Sequence, residues 1–283
     1  MSKTHATTIR HSTYLCRSFS TITPTPVMPI VTLTTDFGTQ DFYAGALKGA
    51  LLRRNPDIQL VDISHHIAPF DIVQGAFVVR NVWSEFPEGT IHLIGVHCVY
   101  SLGFRFVAAR YKGHYFLAPD NGLLTLLFDD IDPTALRNLP TDASEHFVVK
   151  KIFADAIAHL AAGAPFETLG EFAAPLLQRI SIQPVITPGR IRGTIIHVDN
   201  FDNAIVNIRR ELFEKAANGR PFSLFFKRND PITKLSDNYC DVPVGEQLCL
   251  FNSAGFLEIA VNMGRAATLL GLKVEDVIEI VLE

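Results

Sequence analysis

Strand-like and helix-like segments alternate in the first third of the sequence, and this alternation limits the fold more than any other feature. Short β-rich runs occupy residues 30–34, 58–63 and 90–96, while apolar residues recur at helical spacing over residues 43–54 and 71–83. Strands joined by helices build a largely parallel sheet that is covered on both faces. The pattern therefore predicts an α/β domain.

The pattern changes along the rest of the chain. Lys112 and Gly113 indicate a hairpin, and small residues over 152–162 predict a helix that ends at Gly163. Residues 183–190 carry two prolines and are interpreted as a linker. Closely spaced strand-like runs then follow at residues 191–198, 204–208, 222–226, 247–251, 256–261 and 277–282.

Two domains follow from this division. We predict an α/β N-terminal domain with a largely parallel sheet over residues 28–185, and a C-terminal antiparallel β-barrel-like domain over residues 190–283. Residues 1–27 differ from both, since eleven of them are Ser or Thr and none is acidic. This composition fits a transit peptide, but Met28 stands directly before the first strand, so the preferred interpretation is a disordered tail or a start-site artefact.

Composition excludes several classes of protein. The net charge of -4 and the absence of Lys/Arg runs argue against nucleic-acid binding. No apolar run approaches the ~20 residues that span a bilayer, so no membrane association is expected. The four cysteines are scattered without a C-x-x-C pair, which favours a reducing cytoplasmic location over a zinc site or a disulfide framework.

Asp36 is the first candidate site residue, because it lies in the turn at the carboxyl end of the first predicted strand. Ligands of parallel sheets bind beyond the carboxyl ends of the strands, although capping of the next helix is the alternative role for a carboxylate here. Asp36-Phe37-Gly38 also occurs in protein kinases, but the Gly-rich loop and the other kinase motifs are missing. His65 and His66 are adjacent, so their side chains point to opposite faces, which favours turn packing over metal binding.

Several motifs, taken in order, carry a resemblance to a known family. They are Thr35-Asp36-Phe37-Gly38-x-x-Asp41-x-Tyr43-x-Gly45-x-x-Lys48-Gly49, Asp62-Ile-Ser64-His65-x-Ile67-x-Pro69-x-Asp71-Ile72-x-x-Gly75-Ala76, Ala118-Pro-Asp-Asn-Gly122, Val198-Asp199-x-Phe201-x-Asn203-x-x-x-Asn207-Ile208, Tyr239-x-Asp241-Val242-Pro243-x-Gly245 and Asn252-Ser253-x-Gly255-x-Leu257-Glu258-Ile259-Ala260. Together they resemble the S-adenosylmethionine (SAM)-dependent chlorinase, fluorinase and hydroxide adenosyltransferase family. The resemblance covers essentially the whole chain from Met28 onward.

The resemblance implies a homotrimer that binds SAM as its substrate, without a separate cofactor or metal, between the α/β domain of one chain and the barrel domain of the next. Asp36 matches the carboxylate that binds the ribose hydroxyls, and Phe70 matches an aromatic beside the nucleoside. Phe201 and Asn203 match the residues that contact the adenine. The positions that match contacts to the amino-acid end of the ligand are Asp41, Tyr43, Asp199 and Ser253.

Four of the residues in these motifs have a plainer alternative. An aromatic such as Phe70 or Phe201, taken alone, is more often a core residue than a ligand contact. Asn203 could serve a turn. Glu258 lies in the barrel signature and could equally be a solvated strand residue.

The residues that resemble the family's reacting groups depart from its pattern. Family hydrolases share an Asp-Arg-His set that orients and activates water. Here the Asp aligns with His97, the Arg with Arg105 or its neighbour Phe104, and the His with Val148. The halide-binding serine of the halogenases aligns with Val149.

His97 could replace the missing base, because an imidazole titrates near neutral pH, or it could simply be packed at a strand end. Tyr100, Ser101 and Lys150 are further candidates for polar contacts. The leading hypothesis is therefore a SAM hydrolase that forms adenosine and L-methionine, with Arg105 and His97 managing the water. The alternatives are a non-catalytic SAM or adenosine binder, and adenosyl transfer to another nucleophile such as halide.

Overall fold

The computed structural model describes residues 28–98, 104–128, 130–140, 147–173, 175–227 and 230–283. Thirteen strands and six α-helices form within these ranges. The strands are β1 (Ile30–Thr35), β2 (Gln59–Ser64), β3 (Ile91–Gly95), β4 (Phe106–Tyr111), β5 (His114–Pro119), β6 (Leu136–Asn138), β7 (Val185–Thr187), β8 (Arg190–Val198), β9 (Ala204–Arg209), β10 (Phe222–Phe225), β11 (Gln247–Phe251), β12 (Phe256–Val261) and β13 (Val277–Leu282). The helices are α1 (Tyr43–Arg54), α2 (Ile72–Arg80), α3 (Leu123–Leu127), α4 (Val148–Ala161), α5 (Arg210–Ala217) and α6 (Ala266–Leu270).

The N-terminal sheet has six strands in the order β2-β1-β3-β5-β4-β6. β1 pairs in parallel with β2 and β3, and β3 pairs in parallel with β5, whereas β4 is antiparallel to both of its neighbours. The prediction of a largely parallel sheet is confirmed. Since β1, β3 and β5 run in the same direction, the residues that follow them meet at one edge of the sheet.

Both faces of this sheet are covered by helices. Leu93 packs in the core with α1 and α4, and the next residue, Ile94, packs in the core on the opposite face with α2 and α3. Successive strand residues point to opposite faces, so a strand buried on both sides reads as a continuous apolar run. This explains the unbroken burial of Ile91–Gly95.

The C-terminal sheet is antiparallel and curls into a half-barrel, in the order β10-β13-β8-β9-β12-β11. β8 belongs to both halves of it, because residues up to Thr194 pair with β13 and residues from Ile195 pair with β9. A Cβ atom at Gly193 would lie 2.8 Å from side-chain carbons of Val206 and Ile208, so the bend needs a glycine. The predicted barrel-like domain is confirmed.

Two local expectations need correction. Val185–Thr187 lies in the segment interpreted as a linker, yet it forms an antiparallel strand on β8. Prolines flank this strand at 184 and 188, and edge strands tolerate such flanking prolines. The sequence interpretation also passed over helix α5, whose C-cap residue Asn218 has a φ of 48°.

The two domains touch through helix α2. The Phe77 ring lies 4.8 Å from the His197 ring on β8 and 5.7 Å from the Phe256 ring on β12. A groove of about 400 Å³ beside this contact is lined by both domains. Within the described ranges, no helix has the length and apolar character needed to cross a membrane.

Candidate active site

Asp36 sits at the carboxyl end of β1 and ties together two loops that are distant in the sequence. Its Oδ2 atom accepts hydrogen bonds from the main-chain N–H of Phe70 at 3.0 Å and from that of His97 at 2.9 Å. A carboxylate has a second oxygen with its own lone pairs, so Oδ1 can still accept from a ligand. Asp36 is half-buried, and the structure therefore places a partly shielded carboxylate at the predicted edge.

Both residues held by Asp36 have left-handed backbones. Phe70 has a φ of 69° and His97 a φ of 53°, values that cost free energy for residues other than glycine. Their rings meet edge to face with centroids 5.3 Å apart, and the Phe70 side chain is 64% exposed. Such exposure rules out core packing for Phe70. Strained residues that a carboxylate holds in place are typical of ligand sites.

Asn121 fixes the loop of His97 from the other side. Its Nδ2 donates to the main-chain oxygen of Val96 at 3.0 Å and to that of His97 at 3.5 Å, while its Oδ1 accepts from Leu123 N at 3.1 Å. The residue is buried. Sequence reasoning gave Asn121 no role of its own, although its place after β5 was a usable signal.

Aromatic side chains form one side of the Asp36 loop. Tyr43 begins α1, and its ring lies 6.5 Å from that of Phe37 and 5.6 Å from that of Phe147. Phe147 immediately precedes α4, and its ring is 5.8 Å from that of Phe37. Asp41 is exposed just before α1. The start of α4, where the sequence aligns with the family's histidine, therefore adjoins an apolar surface.

In the C-terminal domain, Asp199 organises the loop between β8 and β9. Its Oδ1 accepts from Phe201 N at 2.9 Å and from Asn203 N at 2.8 Å, and its Oδ2 accepts from Asn203 Nδ2 at 3.2 Å. This arrangement presents the Phe201 ring to solvent with 76% of its surface exposed. The main-chain oxygen of Asn203 in turn accepts from Asp199 N at 3.0 Å, which closes the loop. A core role for Phe201 is excluded.

Glu258 lies beside this loop on β12 and is only 2% exposed, so the solvated alternative for this residue is wrong. Its Oε1 accepts from the Tyr239 hydroxyl at 2.7 Å. Burial raises the pKa of the Glu258 carboxyl, against the hydrogen bonds from Tyr239 and Asn252, and the charge of Asp199 raises it further. Ser253 is exposed in the turn that precedes β12.

The candidate residues thus form two separate groups within one chain. The first group is Asp36, Asp41, Tyr43, Phe70 and His97, and the second is Asp199, Phe201, Asn203, Ser253 and Glu258. Among the described residues, no hydrogen bond, ion pair or ring contact connects the first group to the second, and neither group lines the groove between the domains. Each group presents an exposed aromatic ring to the outside.

Comparison with known proteins decides the family. Residues 31–170 match the SAM hydroxide adenosyltransferase N-terminal domain, and residues 193–279 match the SAM hydroxide adenosyltransferase C-terminal domain. The chain belongs to the SAM hydroxide adenosyltransferase family. The resemblance drawn from the motifs is therefore confirmed.

Relatives of this adenosyltransferase family member match along most of its length. An (R)-S-adenosyl-L-methionine hydrolase from Thermus thermophilus is 32% identical over 84% of this chain and 94% of the relative. An (R)-S-adenosyl-L-methionine hydrolase from Methanocaldococcus jannaschii is 28% identical over 90% of this chain and 97% of the relative. A fluorinase from an Actinoplanes species is 27% identical over 87% of this chain and 95% of the relative. The crystal structure of an uncharacterised conserved protein from Thermotoga maritima superposes with a TM-score of 0.80 at 30% identity, covering 89% of this chain and 99% of that one.

Arg105, the arginine that aligns with the family's catalytic set, is engaged in an ion pair. Its Nε and Nη2 approach Asp120 Oδ2 at 2.7 and 2.6 Å, and Nη2 also donates to the Pro175 main-chain oxygen at 2.7 Å. Asp120 in turn accepts from Leu177 N at 2.9 Å. Arg105 therefore fastens the segment around Pro175 to the base of the β4–β5 hairpin, and its catalytic role stays a prediction.

The other positions that depart from the family pattern, or that were candidates for polar contacts, lie at or near the start of α4 or outside the described residues. Val149, which aligns with the halide-binding serine, is 4% exposed and packs in the core on the α4 side of the sheet. Val148 is the first residue of α4, and Lys150, the third residue of this helix, is half-buried. Tyr100 and Ser101 lie outside the described residues. Phe147 and Tyr239 adjoin the site, but the sequence analysis gave neither of them a role.

Proposed function

We propose that this protein hydrolyses SAM to adenosine and L-methionine by attack of water at C5′. The single observation that carries the proposal is the Asp36 carboxylate, half-buried at the sheet edge and fixed through one oxygen by two main-chain N–H groups. A carboxylate held in this way can accept hydrogen bonds from both hydroxyls of a ribose. The hydrolase relatives, similar along most of the chain, support the choice of ligand.

The reaction needs little from the protein at the leaving group. Water attacks C5′, the C5′–S bond breaks, and methionine leaves as a neutral thioether that keeps the bonding electron pair. The water oxygen becomes the 5′-hydroxyl of adenosine and loses one proton. The protein therefore has to hold the attacking water in line with the C5′–S bond, exclude the bulk water around it and accept that proton. No further cofactor is required.

His97 is the proposed acceptor of that proton. It is half-buried, it stands at the carboxyl end of β3, and its main chain is bound to the same Asp36 that binds the ribose. Imidazole is the side chain best suited to general base catalysis near neutral pH. The apolar surface made by Phe37, Tyr43 and Phe147 supports the removal of bulk water from the reacting side.

Water is favoured over halide as the nucleophile. The halogenase position that binds halide through a serine is Val149 here, and this valine is buried in the core. Incubating the protein with SAM, with and without chloride, and separating the products by chromatography tests this. We expect adenosine and methionine in both reactions. Halo-adenosine would overturn the choice of water as the nucleophile. Tight SAM binding without any product would contradict the proposed hydrolase activity and favour a non-catalytic SAM binder.

We further propose a homotrimer whose binding sites lie between chains. The support is the separation of the two residue groups within one chain, each with an exposed aromatic ring, Phe70 and Phe201. A second copy would bring the adenine contacts of one chain to the ribose carboxylate of the next. A cytosolic location is proposed as well, since Cys98, Cys240 and Cys249 in the described ranges are all free thiols.

Subunit mixing tests the shared site. Asp36→Ala and Asn203→Ala proteins should each be inactive, because each lacks one half of every site. After partial unfolding and reassembly together at equal amounts, about a quarter of the sites should combine two intact halves, and activity should return to that extent. Sites built within one chain would give no recovery. A native mass of one chain would also contradict the trimer.

A further inference from the structure

His65 directly follows β2 and is buried, and its side chain reaches the Asp36 loop, 30 positions earlier in the sequence at Thr35. It is 3% exposed, and both of its ring nitrogens have partners. Nδ1 lies 2.7 Å from the Thr35 hydroxyl oxygen, and Nε2 lies 3.1 Å from Asp62 Oδ1. His66, next to it, is exposed.

The direction of these hydrogen bonds follows from Asp62. Its carboxylate can only accept, so His65 Nε2 carries the proton and Nδ1 accepts from the Thr35 hydroxyl. Burial lowers the pKa of His65, which keeps the ring neutral and this arrangement intact. Lys48 Nζ contacts the other Asp62 oxygen at 2.6 Å and fixes the carboxylate in turn.

The Thr35 hydroxyl and the His65 main chain hold both sides of Asp36. Thr35 Oγ1 accepts from Phe37 N at 3.4 Å, a bond that spans Asp36 within its own turn. The His65 main-chain oxygen accepts from Gly38 N at 2.7 Å. The main chain that follows Asp36 is therefore held at Phe37 N through Thr35 and at Gly38 N through His65 itself, and this fixes the backbone from which the Asp36 carboxylate extends.

We propose that His65 is a positioning residue for Asp36: oriented by Asp62, it locks the Thr35 side chain and so fixes the direction in which the Asp36 carboxylate meets the ribose. This inference rests on the proposed binding of an adenosyl ligand at Asp36. His65 itself does not touch the ligand. We expect His65 to affect only the recognition of the ribose hydroxyls, because the contacts that link it to the site are all made to the Asp36 loop.

The test compares two ligands and two substitutions by calorimetry. Adenosine carries both ribose hydroxyls, and 2′,3′-dideoxyadenosine carries neither. Thr35→Val keeps the branched shape but removes the hydroxyl that His65 accepts from, and Thr35→Ser keeps that hydroxyl. We expect Thr35→Val to weaken adenosine binding about tenfold while dideoxyadenosine binding stays within about twofold of wild type. Thr35→Ser should retain the wild-type preference for adenosine.

A second variant addresses the case in which Thr35→Val does not fold. Asp62→Asn removes the charge that orients His65, and since the Asp62 side chain is 46% exposed this change is tolerable for folding. It should reduce the adenosine preference in the same direction. In an Asp36→Asn background, Thr35→Val should have no further effect on adenosine affinity, because the carboxylate that His65 positions is gone.

The outcomes separate the two proposals. A wild-type protein that binds neither adenosine nor SAM contradicts the proposed function, and the inference falls with it. A wild-type protein that prefers adenosine, together with a Thr35→Val or Asp62→Asn variant that keeps this preference in full, overturns the role of His65 alone. Equal weakening for both nucleosides would indicate a general structural role and would overturn it as well.

Discussion

Asp36 accepts a hydrogen bond from the main-chain N–H of His97 at 2.9 Å. The residue proposed to bind the ribose therefore also holds the residue proposed to activate water. The two are 61 positions apart in the sequence and meet because β1 and β3 are parallel neighbours. In the proposed mechanism, one carboxylate oxygen of Asp36 therefore links substrate binding to catalysis.

Asp36→Asn should weaken SAM binding by about 10- to 100-fold, because hydrogen bonds to a charged group are worth about 1.5–3 kcal/mol. Calorimetry with SAM measures the effect. Asp57→Asn is the matched control, since it makes the same change at an exposed turn and should bind SAM as wild type does. Unchanged affinity in Asp36→Asn would remove Asp36 from the site.

His97→Asn should lower kcat by about 10²- to 10⁴-fold, which is the contribution of a positioned general base, with little change in SAM affinity. Asparagine tolerates the left-handed backbone that His97 adopts at a φ of 53°, so the loop should keep its shape. Steady-state kinetics and binding are measured together. His159→Asn, at the far end of α4, controls for loss of a histidine. A wild-type kcat in His97→Asn would exclude it as the base.

Arg105→Lys and Asp120→Asn should behave alike, because the observed partners of Arg105 support an anchoring role. Arg105→Lys removes the paired contacts of Nε and Nη2 to Asp120, and Asp120→Asn removes the negative charge, so each should cost about 1.5–3 kcal/mol of unfolding free energy, with a similar and modest change in kcat. Denaturant unfolding and kinetics on both variants provide the comparison. If Arg105→Lys lost far more activity than Asp120→Asn, the guanidinium would act on the water directly.

Glu258→Gln should change how stability depends on pH. Burial raises the folded-state pKa of Glu258 above the ordinary value of 4.5, so above pH 4.5 the unfolded chain releases this proton before the folded chain does. The wild type therefore loses stability relative to Glu258→Gln as pH rises from 4.5 through the folded-state pKa. Unfolding free energies of both proteins across this range give the difference directly. A difference that stays constant with pH would contradict the buried carboxyl.

Much of the fold was predictable because burial on both sheet faces leaves a clear apolar pattern. The same pattern gave no sign that Glu258 is buried. All six residues of β12 are buried, so the strand shows no alternation that would assign the glutamate to a solvent or a core face. Its burial depends on Tyr239, which approaches from a separate loop 19 positions away.

The site was predictable in part. Asp36 follows a strand in a parallel sheet, and that position alone marked it as a candidate. The left-handed backbones of Phe70 and His97 were not predictable, because neither residue type favours that conformation. They depend on a carboxylate 34 and 61 positions away, and a local pattern carries no information about such contacts.

The most direct test of the account is a single-turnover reaction with SAM in water enriched in oxygen-18, followed by mass spectrometry of the adenosine formed. Attack of water at C5′ places the labelled oxygen in the 5′-hydroxyl, so the account predicts adenosine that carries the label and methionine that does not. Adenosine without the label, or no adenosine from protein that binds SAM, would contradict it.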